Sequence, residues 1–323
     1  MLLFPLLAAL AAVASGPVGR LERVPLFGTD YVRLEDWARA NNFQVQWVTP
    51  KQEVKLTRAG ATLEFTADSR KMSLNGVGFW LAAPIAMRNG SAHITPVDLT
   101  TAIHPVLFPS KNAPGRAIKT ICLDAGHGGK DPGNREGKHL EKKYTLLLAR
   151  EVGAQLAKAG FKVCFTRQSD NFVDLPLRPA IARERGADLF VSLHYNSVDG
   201  PGATSVQGVE TYCLTPTRTS STNARGEGAE TGAYPGNRLD AKNALLAYQI
   251  QKSLVRGLAL EDRGVRRARF AVLRTADMPA VLIEAGFMTH PGEAKKIHDA
   301  AHRGQLARAI VNGVLAYQRI VEQ

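Results

Sequence analysis

The pattern of hydrophobic and polar positions divides the chain into two parts. In the first part, hydrophobic and polar residues alternate strictly along residues 43–47, and two further strand-like runs follow before residue 66. Turn-forming pairs such as Asn75-Gly76 separate the runs. This pattern predicts a small, β-rich α+β domain over residues 20–109, with one or two short helices.

The pattern changes after a polar, turn-rich segment at residues 110–117, which we interpret as a linker. Over residues 118–323, apolar strand-like runs alternate with stretches of helical periodicity. Strands that alternate with helices predict a sheet covered on both faces. The expected fold class is therefore α/β, with a three-layer αβα catalytic domain built on a mostly parallel sheet.

Three other segments of this second region carry their own predictions. Residues 215–238 are rich in Ser, Thr, Gly and Asn, too polar to build a core, and are expected to form a mobile loop. Apolar residues at 270–273 and 280–283 predict two more strands. Residues 293–321 are expected to be mostly one terminal helix.

The first sixteen residues predict a signal peptide. An almost wholly apolar run over residues 2–13 leads into the small residues Ala14, Ser15 and Gly16. The alternative is a short buried helix. Because the run is shorter than the roughly 20 apolar residues that cross a bilayer, no membrane span is expected after cleavage. The expected location is the periplasm or the cell envelope.

Composition and charge narrow the classes of partner. The 323 residues are 45% hydrophobic and 22% charged, with a net charge of +12 that favours anionic partners such as a wall polymer. The basic residues are scattered along the chain, with one tight run at 263–269, so we expect a solvated basic surface and not a nucleic-acid groove. No nucleic-acid recognition motif is present in the sequence. The three cysteines include no Cys-x-x-Cys pair. Two states remain open: three buried free thiols, or one disulfide and one free thiol.

Polar side chains follow three of the apolar runs, at the point where each run ends. His127 follows residues 118–123 and is flanked by glycines, His194 follows residues 189–193, and Glu284 ends the third run. Because the carboxyl ends of parallel strands share one edge of a sheet, these groups are expected to meet there. A structural histidine and a helix-capping carboxylate are the alternatives for each group taken alone.

Two imidazoles and one carboxylate are a common ligand set for catalytic zinc, with a fourth position open for water. The residues alone leave the third ligand open between Glu284 and a carboxylate in residues 134–142, of which Glu141 opens a helix. The remaining glutamate would then act as a base. This arrangement suits amide hydrolysis.

Five motifs in order resemble the zinc-dependent N-acetylmuramoyl-L-alanine amidases of bacterial wall remodelling and cell separation. They are Asp124-Ala-Gly-His-Gly-Gly129, Asp131-Pro-Gly133, Leu140-Glu-Lys142, Ser192-Leu-His-Tyr-Asn196 and Pro279-Ala-Val-Leu-Ile-Glu-Ala-Gly-Phe287. The resemblance implies that Zn²⁺ is bound by His127, Glu141 and His194, and that Glu284 is the catalytic residue. The implied substrate is peptidoglycan, cut between N-acetylmuramic acid and L-alanine.

Some features leave alternatives. Tyr195 stands where the family usually has a small residue and is expected to narrow the rim of the site, and His139 competes with Glu141 as a ligand. Two other functions are a non-catalytic peptidoglycan-binding or activator protein on the same fold, and a zinc peptidase acting on stem peptides. An activator protein is a further expected partner, as it is for some members of the family.

The N-terminal region resembles a different family. Residues 28–37 recur in outline as residues 90–99, each a glycine turn, a strand and a helix start. This pattern is similar to the small N-terminal domain of copper amine oxidases, which many bacterial surface proteins reuse. The resemblance implies an accessory or anchoring role and does not imply copper.

Overall fold

The computed structural model describes residues 21–222 and 232–323. The predicted signal peptide, residues 1–16, lies outside the described residues, as does part of the polar insertion at residues 215–238. Within the two described ranges, no helix is both long enough and apolar enough to cross a bilayer.

The N-terminal region is β-rich, as the alternating pattern predicts. Its strands are β1 (Arg23–Leu26), β2 (Thr29–Arg33), β3 (Gln44–Thr49), β4 (Glu53–Arg58), β5 (Ala61–Thr66), β6 (Lys71–Leu74), β7 (Val77–Trp80), β8 (Ala86–Arg88) and β9 (Ser91–Ile94). Its helical segments are α1 (Leu34–Ala40), α2 (Pro96–Asp98), a π-helical turn (Leu99–Ile103) and α3 (His104–Leu107). Asn75 and Gly76, both at positive φ, form the two-residue turn between β6 and β7.

Strands and helices alternate in the second region. Its strands are β10 (Thr120–Ala125), β11 (Arg135–Glu136), β12 (His139–Leu140), β13 (Lys162–Phe165), β14 (Leu189–Asn196), β15 (Val209–Leu214), β16 (Asp262–Ala268) and β17 (Ala280–Phe287). Its α-helices are α4 (Glu141–Lys158), α5 (Leu177–Glu184), α6 (Asp240–Leu258), α7 (Ala271–Arg274), α8 (Pro291–His298) and α9 (Ala300–Glu322). Short 3₁₀ turns lie at Ala203–Ser205 and Pro235–Leu239.

One large sheet runs through both regions in the order β13-β10-β14-β17-β15-β16-β7-β6-β5-β4-β3. From β13 to β16 neighbouring strands are parallel, apart from the antiparallel pair β15 and β17. Alternate residues of β10 enter two separate hydrophobic clusters, Ile121 on one face and Cys122 on the other. Helices α4, α6 and α9 pack on the first face, and α5 and α7 pack on the second. The α/β fold class is confirmed.

The N-terminal strands join this sheet at the pair β7 and β16. Val265 of β16 is in register with Phe79 of β7, and Trp80 Nε1 donates to the carbonyl oxygen of Arg263 at 3.0 Å. One hydrophobic cluster contains residues of both regions. The two regions are therefore packed together through a continuous sheet as well as through the linker.

The expected solvated basic surface does not include most of the run at 263–269, so the expectation is wrong there. Arg266, Arg267 and Arg269 are only 9%, 2% and 6% exposed. The guanidinium of Arg267 donates to the carbonyl oxygen of Thr101 in the N-terminal region. A guanidinium has five donors, so buried backbone carbonyls can satisfy it where solvent is absent.

Two predicted elements also differ. Residues 270–273 are not a strand, because α7 begins at Ala271, and the predicted terminal helix is divided into α8 and α9. The division lies at Asp299, whose backbone is extended and whose carboxylate caps α9 by accepting from His302 N at 2.6 Å. The three cysteines are free thiols.

Candidate active site

The three predicted metal ligands come together at one edge of the sheet. Their ligand atoms all lie within 4.8 Å of one another. Glu141 Oε2 lies 3.0 Å from His127 Nε2, and Glu141 Oε1 lies 3.0 Å from His194 Nδ1. His127 follows the end of β10, His194 lies near the end of β14, and Glu141 begins α4. The rule that strand ends share an edge therefore explains the position of the two histidines.

The Glu141 carboxylate is held in a single orientation. Its side chain is 1% exposed, and it accepts hydrogen bonds from the backbone N–H groups of Asn134 at 2.9 Å and Tyr195 at 3.0 Å. Burial would raise the pKa of Glu141, but hydrogen bonds with His127 and His194 outweigh it and lower that pKa well below the usual range. Glu141 is therefore an ionised, buried carboxylate facing two imidazoles.

This donor set fits a zinc ion. Asp131 Oδ2 lies 2.8 Å from His127 Nδ1, so the carboxylate fixes the ring and leaves Nε2 to face Glu141. A carboxylate behind a histidine ligand is the usual support for a catalytic zinc site. Two imidazole nitrogens and one carboxylate oxygen within a few ångströms match the ligands that zinc prefers.

Glu284 lies beside the ligands on the same face of the sheet. In the strand pairing it is directly opposite His194 of β14 on one side and Glu210 of β15 on the other. Its Oε2 atom is buried and has no hydrogen-bond partner among the described residues. Burial raises the pKa of Glu284 well above its usual value, and the neighbouring charges of Glu141 and Glu210 raise it further.

A cavity of about 360 Å³ opens beside these groups. His127, His194 and Glu284 are among its polar lining residues, and Phe270 and Val272 are among its apolar ones. Its volume lies in the range of ligand-binding pockets.

Two buried arginines hold the loop that carries His127, and the sequence prediction missed both. Arg178 Nη1 donates to Asp124 Oδ1 at 2.8 Å, and Arg178 Nη2 donates to the carbonyl oxygen of His127 at 2.9 Å. Arg167 Nε and Nη2 donate to the carbonyl oxygens of Ala125 and Gly126 at 2.8 Å. Arg167 lies two residues after the end of β13, so the rule that identified His127 could have identified it. Nothing in the sequence pattern marks Arg178.

The glycines of the loop allow protein groups to approach the ligands closely. A Cβ atom on Gly126 would lie 2.3 Å from Cε1 of His194. A Cβ atom on Gly133, at a φ of +65°, would lie 2.6 Å from Oε2 of Glu141. These two positions require glycine because the ligand side chains occupy the space of any larger residue.

Two other predicted residues have different roles. His139 contacts the hydroxyl of Tyr144 through Nδ1 and stacks on His298, with ring centroids 3.7 Å apart, and it is not in the ligand cluster. The side chain of Tyr195 is buried, so its ring does not narrow the rim of the site; the residue instead contributes its backbone N–H to Glu141. Tyr195 is next to His194 in β14, so its side chain projects from the opposite face of the sheet, into the hydrophobic cluster that contains Ile121.

The comparisons with known proteins agree with this geometry. A family profile described as N-acetylmuramoyl-L-alanine amidase matches residues 121–316. The amidase AmiC of Neisseria meningitidis serogroup B is 34% identical over 261 residues, which cover 72% of this chain and 61% of AmiC. This chain thus spans about three fifths of that relative.

Two solved structures resemble the same region. The amidase AmiC2 of Nostoc punctiforme is 31% identical, with a TM-score of 0.52 over 64% of this chain and 99% of that one. The CwlD amidase of Clostridioides difficile, solved in complex with the GerS lipoprotein, is 25% identical, with a TM-score of 0.52 over 62% of this chain and 99% of that one. Because the family profile matches more than half of the chain, the protein belongs to the N-acetylmuramoyl-L-alanine amidase family, and the family predicted from its motifs is confirmed.

Proposed function

We propose that the protein binds one zinc ion through His127, Glu141 and His194 and hydrolyses the amide between N-acetylmuramic acid and L-alanine in peptidoglycan. The observation that carries the proposal is the meeting of three zinc-type ligand atoms within 4.8 Å. Beside them lies Glu284, a buried carboxyl with an unpartnered oxygen. The family profile covers the residues that supply all four groups.

In the proposed reaction, zinc activates the water and the amide carbonyl, and Glu284 transfers the proton. When bound, zinc lowers the pKa of a coordinated water to about 7 and polarises the carbonyl of the amide. Glu284 accepts the proton of the attacking water and donates it to the L-alanine nitrogen as the amide C–N bond breaks. Burial raises the pKa of Glu284, which makes it a stronger base than an ordinary carboxylate and so a better acceptor for the proton of water.

Other groups of the site hold the metal ligands in their orientations. Asp131 fixes the tautomer and direction of the His127 ring, and the backbone N–H groups of Asn134 and Tyr195 fix Glu141. Preorganisation of this kind avoids reorganisation during the reaction.

The same proposal covers the setting of the enzyme. We propose that the chain is exported to the periplasm or cell envelope, where its substrate lies, with residues 118–323 as the catalytic domain and residues 20–109 as an accessory domain. The apolar run at residues 2–13 supports export. The complex of the Clostridioides difficile relative with a lipoprotein supports an activator protein as a further partner.

The test combines metal analysis with product analysis. Purified protein is expected to contain about one zinc per chain and to release stem peptides beginning with L-alanine from peptidoglycan, detected by mass spectrometry. Glu284→Gln is expected to keep zinc and to lose turnover by about 10²–10⁴-fold, the range for a general base. Exposed Glu136 offers a matched control, because Glu136→Gln should leave both unchanged. Peptide fragments that keep their link to muramic acid would instead indicate a peptidase.

A further inference from the structure

Glu210 is a second buried carboxylate on the active-site face of the sheet, and neither its role nor its partners belong to the chemistry above. Its side chain is 2% exposed. Oε1 accepts from Arg263 Nε at 2.5 Å and lies 3.3 Å from Arg266 Nε, while Oε2 accepts from the hydroxyl of Tyr212 at 2.6 Å. Glu210 is therefore a fully paired anion.

Glu210 and Glu284 are immediate neighbours. They are directly opposite each other in the antiparallel pair β15 and β17, so both side chains project from the same face. The two carboxyls differ in their partners: Glu210 binds two arginines, whereas Oε2 of Glu284 has no hydrogen-bond partner among the described residues. Two arginines are thus paired with the carboxylate on the strand next to that of Glu284.

The two arginines differ in how closely they approach Glu210. Arg266 Nε lies 3.3 Å from Glu210 Oε1 and also donates to the carbonyl oxygen of Arg263 at 3.3 Å, and its guanidinium lies 4.5 Å from the ring centroid of Trp80. Arg263 makes its short hydrogen bond to Glu210; its other contacts are a 3.4 Å hydrogen bond to the carbonyl oxygen of Gln207 and a guanidinium 4.9 Å from the ring centroid of Phe287. Glu210 is consequently the main polar anchor of Arg263.

We infer that Glu210 is a positioning residue that occupies Arg263 and so keeps Glu284 free to face the zinc site. Without the Glu210 charge, Arg263 would lose its ion-pair partner, and the carboxyl directly opposite on β17, that of Glu284, has an oxygen without a hydrogen-bond partner among the described residues. An ion pair between them would turn Glu284 away from the attacking water, and it would give the partly buried guanidinium of Arg263, whose side chain is 25% exposed, a new partner. The inference rests on the proposed role of Glu284 as the base.

The test is a double-mutant cycle on the zinc-loaded full chain. Glu210→Gln keeps the size and the hydrogen-bond acceptor of the side chain but removes its charge. This variant is expected to lose about 10²-fold in kcat, with KM changed by less than about threefold and zinc content unchanged. Adding Arg263→Gln removes the competing cation, so the double variant is expected to recover at least about tenfold of the lost kcat. A role limited to structural support predicts no such recovery.

A crystal structure of the Glu210→Gln variant gives a readout that does not depend on activity. The guanidinium of Arg263 is expected within about 4 Å of a Glu284 oxygen, the distance of an ion pair. Exposed Glu64, paired with Lys55 at 3.0 Å on the N-terminal sheet, supplies a matched control, since Glu64→Gln should leave kcat and zinc unchanged.

Each outcome decides the inference. Wild-type kcat in Glu210→Gln, or a double variant no more active than the single one, overturns it. If Glu210→Gln does not fold, a folded and active double variant supports it, and an inactive or unfolded double variant overturns it. Full activity of Glu284→Gln would overturn the proposed base instead, which keeps the two failures distinguishable.

Discussion

The ion pair between Asp124 and Arg178 should be a major source of stability, which Asp124→Asn tests. Asp124 Oδ1 lies 2.8 Å from Arg178 Nη1, and each side chain is 1% exposed. Asparagine keeps the shape of the side chain but leaves the guanidinium in the core without a compensating charge. Removing one partner of a buried pair costs about 3–5 kcal/mol of the free energy of unfolding. We expect a loss in this range.

The assay is urea denaturation near neutral pH, followed by circular dichroism. The control is Asp30→Asn, which breaks an Asp–Arg pair of similar geometry: Arg23 Nη1 lies 3.1 Å from Asp30 Oδ2, and the side chains are 56% and 50% exposed. Because solvent screens an exposed pair, this control should lose less than about 1 kcal/mol. Equal losses in the two variants would refute the assignment of stability to burial of the charge pair.

The same pair predicts a pH dependence. Burial would raise the pKa of Asp124, but Arg178 and hydrogen bonds from Ser192 and Thr166 outweigh it and lower that pKa. Because the folded pKa lies below the unfolded value of about 3.9, the stabilisation is complete above about pH 4 and is lost as pH falls through the folded pKa. The difference in stability between wild type and Asp124→Asn should shrink only in that acidic window. If the difference in stability already shrinks between neutral pH and pH ~5, the pKa of Asp124 is not lowered by folding.

Two further predictions concern the metal site. Gly126→Ala should lower zinc affinity, measured by competition with a chelator, because its Cβ would lie 2.3 Å from the His194 ring; Gly257→Ala in α6, where the nearest atom is 3.8 Å away, is the control and should bind normally. Asp131→Ala should weaken zinc binding about 10–100-fold, because the carboxylate 2.8 Å from His127 Nδ1 no longer orients that ring. Unchanged zinc affinity in either variant would contradict the corresponding contact.

Local pattern was enough to predict much of the fold and the meeting of His127 with His194. The alternation at residues 43–47 predicted a strand, found as β3, and the apolar runs before His127 and His194 predicted β10 and β14. The predicted strand at 270–273 failed because a short apolar run has no periodicity that separates a strand from a helix. The prediction of a solvated basic surface failed at residues 263–269 because the charge pattern of a sequence shows its composition and not which side chains are buried.

The sequence by itself determined which residues could do the chemistry. His127 and His194 end apolar runs, and parallel strands bring such ends to one edge, so spacing and residue type were sufficient to place them together. The assignment of Glu141 as third ligand came from family resemblance, and the structure brings it between the two histidines.

Only the tertiary structure decided what surrounds those groups. Glu210 is next to Glu284 because β15 runs antiparallel to β17, and Arg263 reaches Glu210 because β16 lies beside β15. Arg178 meets Asp124 across 54 residues of chain. Strand order and register are settled by packing over the whole molecule, so no local pattern encodes these pairs.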